Sequence, residues 1–479
     1  MASLLGWTVH EALATERPGR AVAGAVLGLA LPLYHLAVFA LVLLSYRPRP
    51  AGRISKQRSV DVFVTAYDDP APVVRRTLRA AVAMRYPHRT FLLDDGHRNE
   101  LAEMAREVGA EYLRREDRDD NKAGNVNAAL EATDGELIAI FDADHAPRPE
   151  FLDRALQPFD DLSIGFVQVM VSFSNERESL VARASAEAAK DFYELIQSGQ
   201  DRWGAASLIG SNAVLRRSAL ESIGGYRPGL AEDLETSLAL HGAGWSSAYV
   251  REPLAPGLAP ADFGSFARQQ LKWSSGVFEA GIGRLARVMP RLSWGQRLGY
   301  LARCTYYLVP VQFALGAGLI AASLVAGWDV VERLAPASIP TLLSFLALSA
   351  YARHALWTTR QPRFLRLRAG AVIFGTWPAY VVAALHTLLR RPVAFRSTAK
   401  TAHAGLPLWT VLPQFALMGL LTCALACRWV RWDEHPMPAT TAVAVLQLVA
   451  HWIVVASAYT SVRRWCVPRL RRRVATSTS

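Results

Sequence analysis

Asp142 and Asp144, in "FDADHAP" (141–147), are the residues from which a chemical reading can start. The stretch ahead of them, "GELIAI", reads as a buried strand. Residues two apart on a strand point to the same side, so the two carboxylates converge at its carboxyl end. Held together they repel unless a cation sits between them. A hard divalent cation carrying a phosphate ligand suits them. A solvated acidic loop is the alternative for a lone D-x-D, and the rest of the chain must decide. His145, next along, is read as structural, with contact to the metal site as the alternative.

The elements that must hold this pair are legible around it. Between residues 59 and 290, apolar runs of strand length alternate with helical patterns. The runs are "VDVFVTAY", "TFLLDD", "EYLRR", "ELIAIFDAD" and "IGFVQVMVSF". Such alternation predicts an α/β domain with a mostly parallel sheet. Ligands of these sheets sit at the carboxyl ends of strands. "FDADHAP" is at such an end, as are "TAYDDP" (65–70) and "LLDDG" (92–96).

The 479 residues are 51% hydrophobic, which predicts more than one domain and a membrane portion. The net charge is +12, but the basic residues cluster beside apolar runs rather than among aromatics on one face. That suits basic cytoplasmic loops better than nucleic acid, which is not expected as a partner. The four cysteines lie in or beside apolar runs without metal-ligand spacing, as a reduced compartment allows. Residues 21–46 carry no formal charge and are long enough to span a bilayer. Arg47, Arg49, Arg53, Lys56 and Arg58 follow, placing that end inside. Further candidate spans are about 301–326, 340–357, 407–427 and 440–460. The run 369–389 has basic clusters on both sides, so it is read as an interfacial helix; a sixth crossing is the alternative. The stretch 281–300 is read likewise as a surface helix, and the tail 463–473, with six arginines, as cytoplasmic.

"TAYDDP", "LLDDG", "NKAGNVN", "FDADHAP", "AEDLETSLALHGAGW" and "QQLKW" occur in that order. Together they resemble the membrane-integrated processive glycosyltransferases of family 2, the cellulose-synthase-like group. That group includes cellulose, curdlan, mannan, chitin and hyaluronan synthases. The resemblance covers about residues 20–460. It implies a glycosyltransferase A-type domain over 47–280, inserted between about five to six transmembrane helices with interfacial helices.

The resemblance also implies roles. Tyr67 and Asp69 would help hold the nucleotide, with Asp69 where glutamate is usual. Asp94 would accept a hydrogen bond from uracil, and Lys122 would sit at the nucleotide. Asp142 and Asp144 would be the D-x-D, Asp144 the likelier direct ligand of Mg²⁺ or Mn²⁺. Asp233 would be the general base, preceded by Glu232 and by Ala231 where the family has threonine. Gln269, Lys272 and Trp273 match Q-x-x-R-W with lysine for arginine, Trp273 facing the acceptor with Glu232. "FVQVM" places Gln168 on the acceptor side, though Val169 and Met170 depart from the family's pattern. "FRSTAK" resembles the glucan synthases' gating loop, with Phe395, Thr398 and Lys400 matching and Ser397 departing.

Each phrase has a plainer reading. The acids of "AEDLET" could be ordinary helix N-terminal acids, Lys272 a solvated lysine, Trp273 a membrane-belt residue and "FRSTAK" a lipid-facing basic loop. The chemistry is coherent without the name. Leaving diphosphate is stabilised by a cation, and one carboxylate takes the acceptor's proton. Attack from the opposite face inverts the anomeric carbon.

The expected protein is therefore an inverting, processive β-glycan synthase using a UDP-sugar, with UDP-glucose favoured by "FRSTAK". It would export a growing glycan through the plasma (inner) membrane, with its catalytic domain cytoplasmic and with accessory export proteins as partners. No cyclic-di-GMP-binding module is expected, since only 19 residues follow residue 460. The alternatives are a mannan, chitin or hyaluronan type of synthase, a transferase of one sugar to a lipid carrier, or a non-enzymatic membrane protein.

Overall fold

The computed structural model describes residues 31–46, 52, 54–328, 331–332, 343, 347, 350–351, 370, 372–373, 375–391, 408–431 and 436–475. Seven strands form one sheet: β1 Val60–Ala66, β2 Arg89–Asp94, β3 Glu111–Leu113, β4 Leu137–Asp142, β5 Ile164–Phe173, β6 Ala213–Arg216 and β7 Ser246–Gly257. Their order is β3-β2-β1-β4-β6-β5-β7. β6 runs antiparallel to both its neighbours, and every other pairing is parallel.

Every residue of β1 is buried, as a strand covered on both faces requires. Its side chains alternate between two cores. Val60, Val62 and Val64 join Leu78, Leu92, Leu137 and Phe151 on one face. Phe63 joins Phe91, Val126, Ile138 and Leu215 on the other. Full burial of side chains of this size contributes about 1.5–3 kcal/mol each. The clean alternation fixes register, because a one-residue slip would send Val62 and Val64 to the wrong core.

The expected strands are found, with β6 and β7 as additions that the sequence reading did not contain. Two readings are corrected. Residues 281–300 do not form one helix. The Phe263–Ala280 helix runs into a π-helical turn, Gly281–Leu285, and a short turn at Met289–Arg291 with Pro290 inside. A new helix, Trp294–Thr305, then starts behind a Ser293–Gln296 capping box. Residues 301–326 are not one span either, since that helix ends before Leu308–Ala326 begins.

Three helices are long and apolar enough to cross a membrane among the described residues: Leu308–Ala326, Leu408–Val430 and Pro438–Tyr459. At 1.5 Å per residue each is about as long as the hydrocarbon layer is thick. A helix also spans Leu31–Ser45, within the first apolar run. The Trp377–Leu388 helix has 12 residues, or roughly 18 Å. Most of the 340–357 run and the whole "FRSTAK" phrase, with Phe395, Thr398 and Lys400, lie outside the described residues.

Candidate active site

Parallel pairing lines up the carboxyl ends of three strands. Ala66 of β1 pairs with Asp94 of β2, and Thr65 pairs with Asp142 of β4. Asp142 closes its strand, and the chain turns at once, with the His145 N–H donating to the Asp142 carbonyl at 3.0 Å. Asp142, Asp144 and His145 each bring one potential ligand atom within 4.8 Å of the others. Asp144 is almost fully buried, and its Oδ2 accepts from the Leu258 N–H at 3.0 Å.

The His145 ring lies over Gly257, where an added Cβ would sit 2.5 Å from Nε2. Both ring nitrogens are buried without a hydrogen-bond partner. Nδ1 faces Asp144 Oδ1 at 3.4 Å, and two carboxylates beside an imidazole fit a divalent cation such as Mg²⁺ or Mn²⁺. Of the two readings of His145, this geometry favours the alternative, a place beside the candidate metal pair. The signal was present in the sequence: a histidine directly after D-x-D is a ready ligand.

Lys122 stands in the first turn of the Asn121–Ala132 helix, after two residues, Asp120 and Asn121, at positive φ. Its ammonium ion-pairs with Asp142 and donates to the carbonyl of Gly210. Burial works against both charges, yet each holds the other ionised: the Asp142 carboxyl lies below its ordinary range and the Lys122 ammonium above its own. Glu232 contributes to the Lys122 shift as well.

Glu232 and Asp233 open the Glu232–Gly242 helix, where the dipole favours acids. Burial and the adjacent Asp233 raise the Glu232 carboxyl, with Lys122 and Lys272 opposing. The Lys272 ammonium is lowered by burial, despite attraction from Glu232 and Asp142. Glu232, Lys122 and Asp233 crowd round Gly210, where an added Cβ would lie 3.7 Å from Glu232 Oε1, 3.8 Å from Lys122 Nζ and 3.9 Å from Asp233 Cβ, and the Lys272 charge interacts with Glu232 and Asp142; this is the candidate cleft. The helix carrying Lys272 reaches that cleft through Gly276, where an added Cβ would meet the Ala231 N–H group at 2.6 Å. Asp233 Oδ1 accepts from the Leu234 N–H at 2.7 Å, and Oδ2 lies 3.5 Å from Arg303 Nη2.

Asp94 is fully buried and accepts from the Gly96 and Arg98 N–H groups at 2.9 and 2.7 Å and from the Tyr112 hydroxyl at 3.0 Å. Its carboxylate thus shapes the loop after β2. Gln168 is fully buried; its amide donates to the carbonyls of Ser211 and Asn212 and accepts from the Ile209 N–H. It holds the loop that presents Gly210. Tyr67 is 45% exposed and Trp273 37%, both available to a ligand. The Tyr67 N–H donates to Asp69 Oδ2 at 3.3 Å, and Gln269 Oε1 is buried without a hydrogen-bond partner. Gly210, Ser211, whose hydroxyl accepts from the Asp142 N–H, and Arg303 were not singled out from sequence.

Residues 57–276 match the family described as Glycosyltransferase like family 2. The chain is 34% identical over 319 residues to the cellulose synthase catalytic subunit [UDP-forming] of Pseudomonas fluorescens, covering 62% of this chain and 43% of that one. It is 35% identical over 305 residues to cellulose synthase 1 of Komagataeibacter xylinus, covering 61% and 19%. The chain thus spans less than half the length of these relatives. A mannosyltransferase from Pyrobaculum calidifontis, solved with GDP-Man and Mn²⁺, superposes with a TM-score of 0.54 at 19% identity, covering 78% of this chain and 99% of that one. That likeness shows the shared glycosyltransferase A-type fold.

Proposed function

We propose that this protein is a glycosyltransferase that moves a hexose from a UDP-sugar, most specifically UDP-glucose, to a growing β-glycan with inversion. The observation that carries the reading is the convergence of Asp142, Asp144 and His145 with Lys122, Lys272 and Asp233 beside the carboxyl end of β4. Asp142, Asp144 and His145 would hold Mg²⁺ or Mn²⁺, which when bound neutralises the donor's diphosphate. Lys122 and Lys272 supply further positive charge as the diphosphate leaves. Asp233 takes the acceptor hydroxyl's proton, held by the Leu234 N–H and Arg303. Trp273 offers a partly exposed ring for the acceptor sugar's face. The relatives' printed names as UDP-forming cellulose synthases support the choice of donor.

The helices Leu308–Ala326, Leu408–Val430 and Pro438–Tyr459 support a multi-pass protein of the plasma (inner) membrane that translocates its product. The Trp377–Leu388 helix, 12 residues long, supports an interfacial element at the cytoplasmic face. The test is a donor screen on the full chain with Mg²⁺ or Mn²⁺, followed by product sizing and linkage analysis. A β-glycan made from a UDP-sugar is the expected result. A product bearing one added sugar on a lipid would replace this reading.

A further inference from the structure

We infer that Arg303 is a positioning residue that fixes Asp233 and ties it to the membrane-length helix Leu308–Ala326, an inference that rests on the base assignment above. Arg303 lies near the end of the Trp294–Thr305 helix, and only Tyr306 and Tyr307 separate that helix from Leu308–Ala326. Its side chain is 14% exposed and that of Asp233 15%. Nη2 lies 3.5 Å from Asp233 Oδ2. Nη1 donates to the Leu208 carbonyl at 3.2 Å and to the Ser207 hydroxyl. The guanidinium carbon rests 5.6 Å from the centre of the Phe192 ring.

The planar fork of an arginine lets one side chain serve two partners in fixed geometry. One branch orients the carboxylate whose other oxygen is already held by the Leu234 N–H. The other branch pins the loop leading to Gly210. That carbonyl accepts from Lys122, and Lys122 pairs with Asp142. The same loop is bound to the helix of the base, because the Leu208 N–H donates to the Ser237 hydroxyl at 2.8 Å. One guanidinium therefore connects the proton-accepting side of the cleft, the donor side and the start of a membrane-length helix. Displacement of that helix moves the base. A misplacement of about 1 Å is worth roughly 10²-fold in rate, so turnover responds to where the helix sits.

The experiment uses the full chain and compares Arg303→Gln, Arg303→Lys, Asp233→Asn and the Asp233→Asn/Arg303→Gln double variant. UDP release gives kcat and the donor KM, and donor affinity is measured separately. Arg303→Gln should lower kcat at least tenfold with donor KM within about twofold. Arg303→Lys should recover part of the loss. Where Arg303→Gln does not fold, Arg303→Lys must itself show a kcat loss at constant KM. The double variant should be no slower than Asp233→Asn, since residues acting through one another are not additive. Multiplicative losses, or a drop in donor affinity and melting temperature at normal kcat, would reduce Arg303 to a structural bolt. An Asp233→Asn variant that turns over normally would overturn the base assignment itself; an inactive one beside a fully active Arg303→Gln would overturn only this inference.

Discussion

Replacing Gly276 by alanine tests whether the cleft depends on how closely two helices approach. The new Cβ would sit 2.6 Å from the Ala231 nitrogen, 2.7 Å from its Cβ and 2.9 Å from the Leu230 carbonyl carbon. The closest of these is about 0.8 Å inside the 3.4 Å at which ordinary contact begins. Two of the three atoms are backbone, so relief requires the Phe263–Ala280 helix or the 230–231 turn to move. Overpacking of this kind costs on the order of 1–3 kcal/mol. Removing a helix-interior glycine returns about 1 kcal/mol, so stability should fall by no more than roughly 2 kcal/mol. The larger effect is on chemistry. The turn leads directly into Glu232 and Asp233, and the helix carries Lys272, so a shift approaching 1 Å should lower turnover by up to about 10²-fold. Gly419, in the Leu408–Val430 helix, meets nothing within 4 Å of its added Cβ among the described residues beyond its own helix backbone and serves as the control. UDP release and thermal melting of both variants decide the matter. Gly276→Ala with the turnover of Gly419→Ala would refute the packing argument.

Asp144→Asn should nearly abolish transfer and weaken Mn²⁺ binding measured by electron paramagnetic resonance; full activity in EDTA would contradict the metal assignment. Trp273→Ala should shorten the product while UDP release from donor hydrolysis persists; unchanged polymer length would remove the ring from the acceptor path. Glu232 supplies the pH test. Its carboxyl is raised above the ordinary 4.5, chiefly by burial and then by Asp233. A raised carboxyl contributes stability below its unfolded pKa and loses it as pH rises through the folded one. Glu232→Gln should therefore melt higher than the parent at neutral pH, with the difference vanishing below about pH 4.5. A gap that widens towards acid would reverse the sign and reject the burial argument.

Much of the fold was legible because strands buried on both faces are continuous apolar runs, as "VDVFVTA" and "IGFVQVMVSF" are. β6 escaped notice because four residues, "AVLR", carry no period, and its place between β4 and β5 is decided by packing. The 281–300 stretch misled because spaced apolar residues continue across Pro290 and the Ser293 cap, which break the helix. In the cleft, aspartates at strand ends were conspicuous since a core has no use for them. Asp94 and Gln168 show the limit: residue type marks a position as important, but only the structure reveals that local backbone occupies their polar atoms. Arg303 was invisible because it lies 70 residues from Asp233, inside a run that reads as membrane span.

The strand order also bears on how the protein is made. β3, β2, β1 and β4 are neighbours and all come from residues 60–142, so this half-sheet can pair as soon as it leaves the ribosome. The far edge of β4 then waits for β6, which begins at Ala213, some 70 residues later. At about 5–20 residues per second that is roughly 4–14 s during which Leu137–Ile140 offers an open, apolar ladder to any other nascent copy. Misassembly should therefore track elongation speed between residues 143 and 213. Synonymous codons that slow this window should lower the yield of folded protein, whereas the same codons placed after β7 should leave it unchanged.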